Sequence, residues 1–172
     1  MKHELQSAAN FIAHLLRLNK KKISEPQLIR FRDSLIECFR LRYRDHWYPE
    51  KPEKGSGYRT IRINPKIDPL ILQAGKMSKL KEKTLLERLP NSLTIWIDPQ
   101  EVCYRFGEDA PICVLYNKSD TEPWKHNTLI NKEYQKNKKK WIKDKLNNEP
   151  VEYKLKTKRS VSIEQLLAYT SL

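Results

Sequence analysis

The feature that most constrains the fold is a change in the period of the hydrophobic residues part-way along the chain. Two segments near the start repeat apolar residues at helical spacing. They carry Leu5, Ala8, Ile12, Leu15 and Leu16, then Leu28, Phe31, Leu35 and Phe39. From residue 60 the period becomes two, in TIRIN, SLTIWID, EVCYRFG and ICVLY, with short helical patterns between Asp68 and Leu89. This order predicts an α+β fold in which helices pack mainly on one face of an antiparallel sheet.

The beginning of the second helix has its own sequence signal. Ser24 is followed three positions later by Gln27, and Pro26 falls in the first turn. This spacing is typical of a capping box, in which the two side chains bond to backbone N–H groups at the helix start.

The segment SLTIWID also makes a prediction about function. If Leu93, Ile95 and Ile97 face the core, Trp96 and Asp98 face the opposite side of the sheet. An exposed tryptophan is a typical anchor for a protein partner. The alternative is that a helix or the C-terminal tail covers this face.

Composition narrows the class of protein. The formal net charge is +13, which favours acidic partners such as nucleic acid. Cys38, Cys103 and Cys113 are odd in number and form no metal-type pair, so we expect reduced thiols in an intracellular protein. We identify no signal peptide and no apolar segment long enough to span a bilayer, and therefore expect no membrane partner.

The sequence contains no recognisable catalytic motif. The four histidines are scattered, and neither H-x-x-x-H nor C-x-x-C spacing occurs. The segment Lys54-Gly55-Ser56-Gly57 lacks the spacing of a phosphate-binding loop, so its glycines indicate a tight turn. We therefore expect a protein that is not an enzyme and holds no cofactor or metal.

Two long segments carry a family resemblance. YRDHWYPEKPEKGSGYRTIRIN (43–64) and LPNSLTIWIDPQEVCYRFGEDAPICVLY (89–116) resemble the two signature boxes of the BTG/Tob family of antiproliferative proteins. The resemblance covers residues 1–116 and implies one domain there, followed by a lysine-rich linker and tail over residues 117–172. The opening residues are similar to the Tob branch, whereas GEDAPICVLY is similar to the BTG branch.

The resemblance implies an adaptor without chemistry of its own. Family members bind the Caf/Pop-type deadenylase subunit of the Ccr/Not complex through the two boxes. They thereby promote shortening of messenger poly(A) tails and restrain proliferation, in the cytoplasm and the nucleus. The family's interface residues correspond here to Tyr58, Trp96, Asp98 and Glu108.

The aromatic residues in the loop of the first box have expected positions of their own. Tyr58 is expected to start the strand that follows and to present its ring beside Trp96. Trp47 and Tyr48 are expected to plug the core beneath the loop rather than to touch a partner. One departure is Gln100, which stands where the family usually has an aromatic residue, so affinity for the deadenylase could be reduced.

The tail is rich in lysine, with 13 Lys/Arg against 7 Asp/Glu in residues 117–172. Three interpretations stay open: a solvated and mostly disordered tail, a nuclear import signal, or a partly helical segment that contacts RNA phosphates. The lysines concerned are Lys136, Lys138, Lys139, Lys140, Lys143 and Lys145. If they bind RNA, the alternative function is a direct RNA-binding regulator that acts through its basic tail and surface.

The last residues, RSVSIEQLLAYTSL, faintly resemble a third box of the BTG branch. That box is implicated in binding cytoplasmic poly(A)-binding protein, and the corresponding residues are Glu164, Leu166 and Leu167. A short amphipathic end that docks on the domain's own surface would give the same pattern.

Overall fold

A computed structural model describes residues 1–18 and 23–119. Four main helices, one single-turn helix and four strands follow one another in this range. The helices are α1 (Lys2–Arg17), α2 (Glu25–Tyr43), α3 (Ser56–Arg59), α4 (Pro69–Met77) and α5 (Glu82–Arg88), with a 3-10 turn at Arg44–His46. The strands are β1 (Ile61–Ile63), β2 (Leu93–Asp98), β3 (Glu101–Arg105) and β4 (Cys113–Asn117). The predicted α+β class is confirmed.

The four strands form one antiparallel sheet in the order β1-β2-β3-β4. Ile95 of β2 pairs with Ile61 on one side and with Tyr104 on the other, and all three side chains are buried. β4 contains one extra residue, because Tyr116 pairs with Val102 while Val114 pairs with Cys103. The inner face of this sheet is thus a continuous apolar surface.

Helices α1 and α2 bury the apolar stripes that the sequence predicts. The Phe11 ring of α1 lies 4.5 Å from that of Tyr104, centroid to centroid, which joins the helix to the inner face of the sheet. Phe31 and Phe39 of α2 are completely buried. Burial of these stripes stabilises the packing of α1 on the sheet and of α2 against α1 and α4.

The predicted capping box at the start of α2 does not form. Ser24 does precede α2 in extended conformation, but its side chain makes no capping hydrogen bond. Gln27 Nε2 instead donates to the carbonyl oxygens of Ser78 and Lys79, at 3.2 and 3.0 Å. These carbonyls follow α4 and need donors, so Gln27 ties α2 to the end of α4 rather than capping its own helix.

Helix α4 has the side-chain cap that α2 lacks. Asp68 Oδ1 accepts a hydrogen bond from the backbone N–H of Leu70 at 2.9 Å, and Pro69 occupies the first turn. Gly75 lets α4 approach α5 closely, because a Cβ atom there would lie 2.7 Å from Leu85 Cδ1. The two short helices predicted between Asp68 and Leu89 are thereby confirmed.

All three cysteines remain thiols within the described residues, as the sequence predicts. In the same part of the chain, no helix is both long and apolar enough to cross a membrane.

Candidate functional site

Trp96 lies on the outer face of the sheet, opposite the face that packs on α1. The residues on either side of it, Ile95 and Ile97, are fully buried, whereas Trp96 is half-buried. The outward orientation of Trp96 expected from period two is therefore confirmed. Its cross-strand neighbour on β3 is Cys103, and the Arg105 guanidinium lies 5.7 Å from the centre of the indole ring.

Charged side chains continue from Trp96 into the turn between β3 and β4. Arg105 Nη2 donates to Glu108 Oε2 at 2.6 Å, and the Glu108 side chain is 58% exposed. Trp96, Arg105 and Glu108 therefore form a connected row on the outer face, which we call the tryptophan row. An aromatic group flanked by accessible charges is typical of a surface that binds another protein.

Tyr58 does not start a strand, so that prediction is wrong. It lies in the single turn α3, where its N–H donates to the carbonyl oxygen of Gly55. The ring is 40% exposed and stacks on His46 with 3.9 Å between centroids, and the Arg42 guanidinium lies 4.5 Å from its centre. The turn forms because Gly55 has φ of +77°, a conformation that favours glycine and redirects the chain before the strand.

Asp98 shares the outer face with Trp96 but has partners inside the protein. Its Oδ1 atom accepts from Arg59 Nη2 at 2.6 Å, and its Oδ2 atom accepts from the Ser56 hydroxyl at 2.7 Å. Arg59 is completely buried, whereas the Asp98 side chain is 23% exposed. The carboxylate therefore neutralises a buried cation.

Arg59 is a buried charged residue beside this surface that the sequence pattern did not predict. Its five N–H groups donate to the carbonyl oxygens of Ile97, His46, Lys54 and Pro52 and to the carboxylate of Asp98. Three of these carbonyls belong to residues 46–55, the 46–55 loop. No local pattern identifies it, because Arg59 lies in the single turn α3 and its partners Ile97 and Asp98 are 38 and 39 residues away along the chain.

Trp47 and Tyr48 pack on this loop and its arginine. Both are half-buried rather than part of the hydrophobic core. The Trp47 ring lies 5.6 Å from the Arg59 guanidinium, and Lys54 Nζ lies 4.3 Å from the centre of the Tyr48 ring. Instead of filling the core, Trp47 packs against Arg59 and Tyr48 packs against Lys54.

Gln100 lies in the tight turn between β2 and β3. It has φ of +73°, and its backbone N–H donates to Glu4 Oε1 at 3.0 Å. The residue is exposed, at the end of the sheet that α1 approaches. The backbone of Gln100, rather than its side chain, makes the hydrogen bond that connects this turn to α1.

Cys103 lies on the outer face, across from Trp96. Burial, followed by the nearby Glu101 carboxylate, raises the pKa of Cys103 to about 12, which keeps its sulfur protonated and weakly nucleophilic. No group of three His, Cys, Asp or Glu side chains within the described residues could hold a metal ion.

The remaining candidate residues lie outside the described residues. They are Lys136, Lys138, Lys139, Lys140, Lys143 and Lys145, followed by Glu164, Leu166 and Leu167.

Fold and surface together describe an α+β domain with a half-buried tryptophan on the outer face of its sheet. A family model described as "BTG family" matches residues 1–116. The chain therefore belongs to the BTG family of antiproliferative proteins.

Several relatives support this membership. The chain is 53% identical over 116 residues to human protein BTG1, covering 67% of each chain. It is 47% identical to human protein BTG2 over 67% of this chain and 73% of that protein. It is 43% identical to human protein Tob1 over 71% of this chain, but spans 34% of the Tob1 chain.

A solved structure shows the same fold. The BTG/Tob domain of C. elegans FOG-3 aligns with a TM-score of 0.60 over 68% of this chain and 82% of its own. The two sequences are 18% identical, so this likeness shows the fold alone.

Proposed function

We propose that this chain is a non-enzymatic adaptor that binds the Caf/Pop-type deadenylase subunit of the Ccr/Not complex. By holding the deadenylase on messenger RNA it promotes poly(A) shortening and restrains proliferation, acting in the cytoplasm and the nucleus. The observation that carries the proposal is the half-buried Trp96 on the outer sheet face of a BTG family domain. Tyr58, Asp98 and Glu108 belong to the same proposed surface.

The geometry favours a protein partner for this surface. Trp96 is held by the sheet on a rigid strand, and Tyr58 is held between His46 and Arg42. Rigid aromatic side chains lose little conformational entropy when they bind, so they serve as anchors at protein interfaces. Glu108 lies at the accessible end of the tryptophan row, where a charge affects partner orientation.

The proposal is tested by capturing the purified deadenylase subunit with the intact chain and with residues 1–116, in the presence of ribonuclease. Both are expected to retain the deadenylase, because Tyr58, Trp96, Asp98 and Glu108 all precede residue 117. Loss of the deadenylase when RNA is digested would contradict direct binding. The purified chain by itself is expected to release no adenylate from poly(A).

A second candidate function rests on the tail sequence. Six lysines between Lys136 and Lys145, with Trp141 among them, combine phosphate-binding charge with a stacking surface. Replacing the six lysines by glutamine should weaken RNA binding and flatten its salt dependence, by roughly one unit of slope for each phosphate that is no longer neutralised. Deadenylase capture should persist. Unchanged RNA affinity would eliminate this function.

The end of the tail is proposed to contact cytoplasmic poly(A)-binding protein through Glu164, Leu166 and Leu167. Capture of that protein by the intact chain, and its loss when the two leucines become alanine, is the expected result. Equal capture by the alanine variant would contradict the contact.

A further inference from the structure

Arg59 carries a buried charge that connects the two boxes of the family. It belongs to the first box, and its ionic partner, Asp98, lies 39 residues away in the second. Because the guanidinium is completely removed from water, it needs a negative charge and a full set of acceptors. Among the described residues, Asp98 is the one carboxylate that forms an ion pair with it.

The same arginine fixes the backbone beside Tyr58. Its side chain holds the carbonyl oxygens of His46 and Lys54, near the two ends of the 46–55 loop. Its own carbonyl oxygen accepts from the buried Tyr43 hydroxyl at 3.2 Å. The residue that follows Tyr58 is therefore anchored through both its side chain and its main chain.

Asp98 and Glu108 differ in what their charges face. Both oxygens of Asp98 already accept short hydrogen bonds from Arg59 and Ser56, and its side chain is 23% exposed. Glu108 is 58% exposed and pairs with a partly exposed arginine. The charge of Asp98 is thus neutralised inside the protein before a partner arrives.

We propose that Asp98 is a positioning residue of the binding surface, which acts through Arg59 and does not pair with a cation on the partner. Its carboxylate holds Arg59, and Arg59 holds the 46–55 loop and α3, so that Tyr58 has a fixed position relative to Trp96. This inference rests on the proposed function and specifies how Asp98 contributes to binding.

The experiment compares three full-chain variants. Asp98→Asn keeps the size of the side chain and an acceptor but removes the charge, and Arg59→Lys keeps the charge but removes the forked donors. Glu108→Gln is the matched control, since it removes a carboxylate from the same face without touching the loop. Amide hydrogen exchange is measured on the free proteins, and affinity for the purified deadenylase subunit is measured at two salt concentrations.

Asp98→Asn and Arg59→Lys should both accelerate exchange of the amides between residues 46 and 55. Both should weaken binding, by about tenfold or more, while the dependence of affinity on salt stays that of the unmodified chain. The double variant should lose less than the product of the two single losses, because both act through one contact. Glu108→Gln should leave the exchange unchanged.

Three results would overturn the inference. The first is that Asp98→Asn leaves amide exchange in the 46–55 loop unchanged. The second is that Asp98→Asn flattens the salt dependence of binding, as loss of an intermolecular ion pair would. The third is that Arg59→Lys folds and binds the deadenylase as the unmodified chain does. If Arg59→Lys fails to fold, Asp98→Asn decides by the first two measurements. Absence of binding by the unmodified chain would instead overturn the proposed function, and with it any role of Asp98 there.

Discussion

Trp96 and Asp98 lie two residues apart on the same face of β2, yet their surroundings differ sharply. From Trp96 the tryptophan row continues to Arg105 and then to Glu108, and the Glu108 side chain is more exposed to solvent than that of Arg105. Asp98 leads inward to Arg59, whose charge is completely buried. We therefore propose separate roles for these two neighbours: Trp96 faces the partner, and Asp98 holds the surface in shape.

The largest expected effect comes from removing the buried cation. Arg59→Met leaves Asp98 without its ionic partner and four carbonyl oxygens without their donor. It should lower the free energy of unfolding by about 3–5 kcal/mol, as measured by denaturant titration. The control is Arg62→Met, an exposed arginine on β1 that should change stability by less than about 0.5 kcal/mol. Equal losses in both variants would show that the buried ion pair of Arg59 stabilises the fold no more than an exposed arginine does.

Trp96→Ala should have its main effect on binding rather than on stability. Loss of a central aromatic anchor should weaken deadenylase binding by about 2 kcal/mol, roughly thirtyfold. Isothermal titration measures the affinity, and Leu86→Ala, at a 45% exposed position on α5, is the control. If the variant bound the deadenylase normally but unfolded far more readily, the role of Trp96 would be to stabilise the fold.

The two glycines of the first box offer a matched test of the loop. Alanine at Gly55 would be strained by φ of +77° and would place Cβ 3.2 Å from Arg59 Nη1, so it should cost about 1–2 kcal/mol of stability. Alanine at Gly57 meets no atom within 4 Å and should stabilise the protein by about 0.5–1 kcal/mol. Thermal unfolding compares them, and the opposite order would argue against the loop geometry.

The smallest effect is expected at the exposed end of the tryptophan row. Glu108→Ala removes a surface ion pair with Arg105, so stability should fall by less than about 1 kcal/mol and binding should weaken modestly. Asp109→Ala, at the neighbouring exposed position, is the control for removing any turn carboxylate. A binding loss at Glu108 equal to that of Trp96→Ala would show that charge, rather than the aromatic ring, anchors the partner.

Local patterns in the sequence predicted most of the fold. Helical spacing identified α1 and α2, and alternation identified the strands and the outward side of Trp96. These predictions succeed because each depends on residues a few positions apart, and burial of one face forces that regular spacing. The capping box at Ser24 failed because Gln27 found acceptors at the end of α4, 51 and 52 residues away.

The fold class, the family resemblance and the outward side of β2 follow from the sequence alone. The roles of the outward residues emerge only once the chain is folded. Tyr58 entered a helical turn because Gly55 redirected the chain, and Asp98 became an internal anchor because folding brought it within 2.6 Å of Arg59. A buried charge must find its counter-charge in space, and separation along the chain does not reveal which residue supplies it.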